Sequence, residues 1–140
     1  MDILIKNNFY SSFTSIGFII GKLKEDLAKL NCDPEKINDV CLIVDEMISN
    51  VIKYAYNRDK TKQFFFESYI EKDSLFIIIE DSGTEFNMIE YNKMPDYNVE
   101  VEDLPIGGLG IRFVKEVATN INYEYTSGSK NRLIIEKKIL

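Results

Sequence analysis

Between residues 13 and 56 the apolar side chains return at steps of three and four, and beyond residue 62 they gather in short runs of strand length. Those two periodicities place helices first and strands afterwards. The helical stretch holds two stripes. Phe13, Ile16, Ile20, Leu23, Leu27 and Leu30 form the first, with Ser11, Ser12 and Thr14 available as N-caps. Gly21 within it costs about 1 kcal/mol against alanine; it marks either a close contact or a tolerated surface position, and the second is preferred. Asn31-Cys32-Asp33-Pro34 breaks the pattern and restarts it, with Asp33 as N-cap and Pro34 at the first helical position. The second helix should then run to about Tyr56, burying Ile37, Val40, Cys41, Val44, Met47, Ile48, Val51 and Ala55.

Ahead of the helices, residues 2–7 read as a strand with Ile3 and Ile5 on one face. Residues 63–70 and 75–80 read as a hairpin joined by Glu71-Lys72-Asp73-Ser74, and residues 120–126 and 132–139 as another joined around Gly128. The order predicts a single α+β domain over residues 1–140, with helices on one face of a mixed sheet. From residue 92 to 106 there is no usable periodicity, only Pro95, Pro105 and the acidic run Glu100-Val101-Glu102-Asp103. Loops of that length are often lids, and a disordered insertion has the same appearance.

Composition narrows the function. The chain has 140 residues, 45% of them apolar, and no run near the ~18 residues of a membrane span. Its first residues lack the basic and apolar segments of an export signal, so a cytoplasmic location is expected. It contains no histidine. That excludes Ser-His-Asp and Cys-His catalysis, a histidine-bearing zinc site and a phosphohistidine relay within this chain. Cys32 and Cys41 are too few for a structural zinc site or a disulfide framework, and are expected to be reduced. The net charge of -6 argues against a general nucleic-acid binder or a polybasic membrane anchor. Acid–base chemistry therefore falls to carboxylates, lysine or tyrosine.

Three motifs carry candidate chemistry. In Asp45-Glu46-Met47-Ile48-Ser49-Asn50, residues Glu46 and Asn50 are four apart, neighbours on a side of the helix away from its apolar stripe. Lys53 follows one turn later, and a solvated polar face would look the same. In Glu80-Asp81-Ser82-Gly83-Thr84-Glu85-Phe86-Asn87, an acid at a strand end precedes a glycine. This is a turn signature, or a carboxylate at a cleft mouth placed to accept from an exocyclic amine, with Gly83 admitting a planar ring. Pro105-Ile106-Gly107-Gly108-Leu109-Gly110 runs into a helical pattern. It reads as a flexible loop, or as a helix start whose free N–H groups bind an anion.

Taken together, in this order, the three resemble the N, G1 and G2 boxes of the GHKL ATPase superfamily, most closely its anti-sigma-factor serine/threonine kinase branch. The likeness rests on the D-E-x-x-x-N helix, the D-x-G-x-x-F-N box, the G-G-L-G-I box and the terminal Asn131-Arg132-Leu133 strand. It covers essentially the whole chain. It implies a Bergerat-type two-layer sandwich with a mostly antiparallel sheet, ATP and Mg2+ as cofactors, Glu46 as general base and Asn50 as the magnesium ligand. By the same likeness Asp81 would read the adenine amino group over Gly83, Gly107, Gly108 and Gly110 would form the lid and phosphate loop, and Lys53 would lie near the phosphates. The resemblance departs at Tyr54, where many members carry histidine, and at Glu85, where relatives often have Gly or Pro. Arg132-Leu133 replaces a Gly-Thr pair, leaving one adenine contact unassigned.

The implied activity is that of a Mg·ATP-dependent serine/threonine protein kinase acting on a STAS-like anti-sigma-factor antagonist. The likeness also implies a sigma factor as second partner and a homodimer. A nucleotide-dependent regulatory binding module with little or no turnover is the alternative. The detached catalytic domain of a histidine kinase ranks below both.

Overall fold

The computed structural model describes residues 1–90 and 108–140. Strand β1 (Asp2–Tyr10) precedes helices α1 (Phe13–Lys29) and α2 (Pro34–Asn50), and α2 continues into a π-helical turn over Val51–Ala55. Strands β2 (Gln63–Glu71) and β3 (Ser74–Asp81) follow, then a 3-10 turn at Met88–Glu90, helix α3 (Gly108–Val117), and strands β4 (Asn120–Tyr125) and β5 (Asn131–Lys138). The sheet order is β1-β2-β3-β5-β4, and each of its four pairings is antiparallel. The expected α+β sandwich is therefore present, with an antiparallel sheet. The irregular stretch at 92–106, with its expected lid, lies outside the described residues.

Local chemistry accounts for the helix boundaries. At the end of α1, Asn31 takes a left-handed φ of 58°. Its N–H reaches the Ala28 carbonyl at 3.0 Å, and the Cys32 N–H reaches Leu27 at 3.2 Å. This is a Schellman closure with asparagine in place of glycine. It turns Cys32 into the core, where Leu27 is also buried. The Asp33 carboxylate then accepts from the Glu35 N–H at 2.9 Å, with Pro34 in the first turn. Ser12 stands at the start of α1 in extended conformation, but its side chain makes no capping bond.

The core lies between the helices and one sheet face. Phe64 and Phe66 of β2, Leu75, Ile77 and Ile79 of β3 and Ile135 of β5 meet Ile19, Leu23, Ile43, Val44 and Ile48. Period-2 alternation puts Asp81 on the same face as Leu75, Ile77 and Ile79, so the strand carries a carboxylate to the edge of an apolar layer. Three expectations are corrected. A bulge between Ile3 and Ile5 puts the two on opposite faces, Ile5 7% exposed and Ile3 49%. Phe13 and Leu30 are exposed at the ends of α1, while Ile19 is fully buried instead. In the second helix Ile37 and Ala55 are only partly buried, while Ile43 and Ile52 are inside. Gly21 has nothing within 4 Å of its virtual β-carbon and is a surface position, as preferred.

Candidate functional site

The α2 helix changes geometry where it reaches the site. The Tyr56 N–H bonds the Val51 carbonyl at 2.9 Å, a five-residue step, so the turn after Asn50 is wider than an α turn. Such π turns recur at functional sites. Asn50 is the last α-helical residue, and the turn carries Ala55 against the loop that follows β3. There Gly83 meets it. A β-carbon on Gly83 would stand 2.7 Å from the Ala55 β-carbon and 2.8 Å from its carbonyl oxygen. The glycine is required by this helix–loop contact, a reason the turn motif alone did not disclose.

Between the helix end and the sheet lies a cavity of about 210 Å³. Asn50, Val51 and Tyr54 line it from the helix side, and Asp81, Tyr123 and Leu133 from the sheet. Asp81 is 8% exposed. Its Oδ1 accepts from the Gly83 N–H and from the Asn131 Nδ2, each at 2.9 Å. Burial holds the carboxyl above its usual range, and the bonds from Asn131 and Gly83 oppose that rise only in part.

Asn131 ties the wall together and was missing from the candidate residues. Its Nδ2 also donates to the Thr84 carbonyl at 2.9 Å and the Gly83 carbonyl at 3.3 Å. Its Oδ1 accepts from the Phe86 N–H at 3.0 Å and the Tyr123 hydroxyl at 2.6 Å. Tyr56 plays a similar part on the helix side, donating its hydroxyl to the Gln63 carbonyl and accepting from the Ser82 N–H. The terminal Asn131-Arg132-Leu133 strand entered the resemblance without a role for Asn131, whose partners are up to fifty residues away.

Glu46 lies one turn before Asn50 and is half-buried. A β-carbon on Gly110 of α3 would collide with the Glu46 Oε2, so the first turn of α3 rests on this carboxylate. Burial raises the Glu46 carboxyl, the neighbouring Asp45 raises it further, and Lys53 opposes both. A carboxylate poised above its ordinary range, beside a helix start, suits proton transfer nearer neutrality. The structure thus joins Asn50 with Asp81 at one cavity, and Glu46 with Gly110 and Lys53 beside it. Gly108 opens α3, and Gly107 lies outside the described residues.

Magnesium can be tested against these side chains. Among the described residues no group of three or more His, Cys, Asp or Glu could hold a metal ion. The Asn50 amide faces the cavity without a protein hydrogen bond among those residues. One neutral oxygen donor suits a hard cation that keeps its waters and takes its remaining ligands from phosphate oxygens.

A five-stranded antiparallel sheet beneath helices, with a cavity at their boundary edged by a buried acid, defines an α+β domain built around a small-molecule-sized cleft. A family model described as the histidine kinase-like ATPase domain matches residues 15–137, and the chain belongs to that family. It is 24% identical to an anti-sigma F factor of Clostridium perfringens over 139 residues, 99% of each chain. It is 28% identical to the serine-protein kinase RsbW of Bacillus licheniformis over 116 residues, 81% of this chain and 72% of the relative. Among solved structures, the SiaB-SiaC complex from Pseudomonas aeruginosa matches with a TM-score of 0.68 at 15% identity, covering 97% of this chain and 90% of that one. The Acinetobacter baumannii histidine kinase AdeS matches with a TM-score of 0.53 at 17% identity, covering 97% and 69%. These two share the fold.

Proposed function

We propose that the chain, as one domain, is a Mg·ATP-dependent serine/threonine protein kinase. It phosphorylates a STAS-like anti-sigma-factor antagonist and sequesters a sigma factor in the cytoplasm. The observation that carries the reading is the placement of Asn50 and Asp81 on one cavity, with Glu46 a single helical turn away under Gly110. Full-length similarity to an anti-sigma factor and similarity to a serine-protein kinase support it.

Phosphoryl transfer asks the protein mainly for positioning and charge stabilisation. Asp81 accepts a hydrogen bond from the adenine amine through Oδ2, since Oδ1 is committed to Gly83 and Asn131. Asn50 would hold magnesium through its one amide oxygen, and the ion when bound would supply charge neutralisation at the phosphates. The glycines at the start of α3 offer N–H groups, and Lys53 adds positive charge beside Glu46. Glu46 takes the proton from the partner's hydroxyl as its oxygen bonds to the terminal phosphorus and ADP leaves. Transfer of label from γ-labelled ATP to a cognate antagonist, recovered as phosphoserine or phosphothreonine, tests the proposal.

The contact of Gly110 with Glu46 favours a second reading, because in this arrangement α3 covers the carboxylate. A regulatory module would bind nucleotide, change its affinity for partners, and transfer no phosphate. Absence of transfer together with an ATP-dependent change in partner affinity would decide for it.

A further inference from the structure

The sequence leaves one contact of the cavity's sheet wall unassigned, since Arg132-Leu133 departs from the expected pair. The residue before that pair, Asn131, also lies on the cavity wall. Asn131 stands opposite Asp81 in the β3–β5 register and is 6% exposed. Its Nδ2 holds Asp81 Oδ1 and two loop carbonyls, while its Oδ1 is occupied by Phe86 N–H and Tyr123 hydroxyl. Both ends of the amide are therefore spent on protein partners, which fixes its orientation. An amide so saturated has nothing left with which to read a ligand. Its effect reaches the cavity through Asp81.

We propose that Asn131, steadied by Tyr123, is the positioning residue that keeps Asp81 an ionised acceptor with Oδ2 toward the cavity, and so determines which purine edge the site takes. The inference rests on the adenine reading of Asp81. An ionised carboxylate only accepts, so it selects an amino group; a protonated one also donates, and would tolerate a carbonyl. Buried at the edge of the core, Asp81 would drift toward the protonated form, and Asn131 supplies a donor that opposes this. Other titratable groups near the wall are Glu85 on the loop, Tyr54 on the π turn and Tyr123 on β4. Tyr123 is raised above its usual value and stays a donor at neutral pH. Arg132 is turned to Glu80 and Glu124 and takes no part.

The test follows the Asp81 carboxyl carbon by NMR through a pH titration of the free protein, with ATP and GTP binding measured over the same range. In Asn131→Leu the Asp81 midpoint should rise by about one to two pH units, the equivalent of one hydrogen bond to a charged group. The acid limb of ATP binding should move with it, and GTP binding should gain over the pH range in which Asp81 is newly protonated. A folded Asn131→Leu with an unmoved Asp81 midpoint overturns the assignment. If that variant does not fold, the near-isosteric Asn131→Asp serves: two carboxyls in contact should hold one proton into the neutral range, and an unchanged Asp81 titration overturns the proposal equally. A wild type without preference for ATP over GTP removes the adenine reading and the specificity claim with it. An ATP-selective wild type whose Asn131 variants keep the wild-type profile removes only the role of Asn131.

Discussion

Alanine at position 83 would place a β-carbon 2.7 Å from the Ala55 β-carbon, 2.8 Å from its carbonyl oxygen and 3.0 Å from its α-carbon. Carbon atoms pack best at about 3.5–4.0 Å, so the loop or the helix end must retreat by roughly 1 Å. Two of the three obstructing atoms are backbone of the π turn and cannot rotate away. Overpacking of this kind costs about 1–3 kcal/mol. The same retreat disturbs the Gly83 N–H bond to Asp81, so binding and folding should suffer together. Urea unfolding of Gly83→Ala should show a loss of about 1–3 kcal/mol, and calorimetry a weaker ATP affinity. Adding Ala55→Gly should restore only part of the loss, because the carbonyl oxygen remains in place. A Gly83→Ala protein within about 0.5 kcal/mol of wild type would refute the contact.

Gly21→Ala should do the opposite, raising stability by about 0.5–1 kcal/mol, since its virtual β-carbon meets nothing and alanine is the better helix former; thermal unfolding checks this. Asn50→Ala should weaken Mg·ATP binding far more than binding of magnesium-free nucleotide, and equal losses in calorimetry would make Asn50 a packing residue. Burial raises the Glu46 carboxyl, so its basic form is lost on acidification sooner than for an ordinary glutamate. The acid limb of a pH–rate profile should accordingly lie above the usual carboxylate range near 4.3. A limb at or below that value would separate the rate from Glu46.

The sequence made the helices and hairpins legible because their apolar periods are local. It failed where burial depends on a second neighbour. Helix α2 packs against α1 and α3 as well as facing the core, so Ile43 is buried outside the single stripe its spacing defines, and Ile52 is buried on the π turn beyond it. The β1 bulge reversed Ile3 because one extra residue in a strand turns the side chains before it to the other face. Within the site, regular spacing and a strand end marked Glu46, Asn50 and Asp81 as candidates. A solvated face or a plain turn looked the same, however, and the family resemblance gave them their roles. Asn131 could not be marked in this way, since its role is created by Asp81, Thr84, Phe86 and Tyr123 meeting in space. The π turn left no trace in residue types, and with it the real reason for Gly83 stayed hidden.

Glu46→Gln gives the most direct measurement of the central claim. The side chain is half-buried and outside the apolar core, and the amide keeps its shape while losing its ability to take a proton. Nucleotide affinity and label transfer from γ-labelled ATP to the cognate antagonist are measured side by side. Affinity should stay within a few-fold of wild type, while transfer falls by about 10²–10⁴-fold, the usual worth of a general base. Transfer at the wild-type rate in Glu46→Gln would contradict the account.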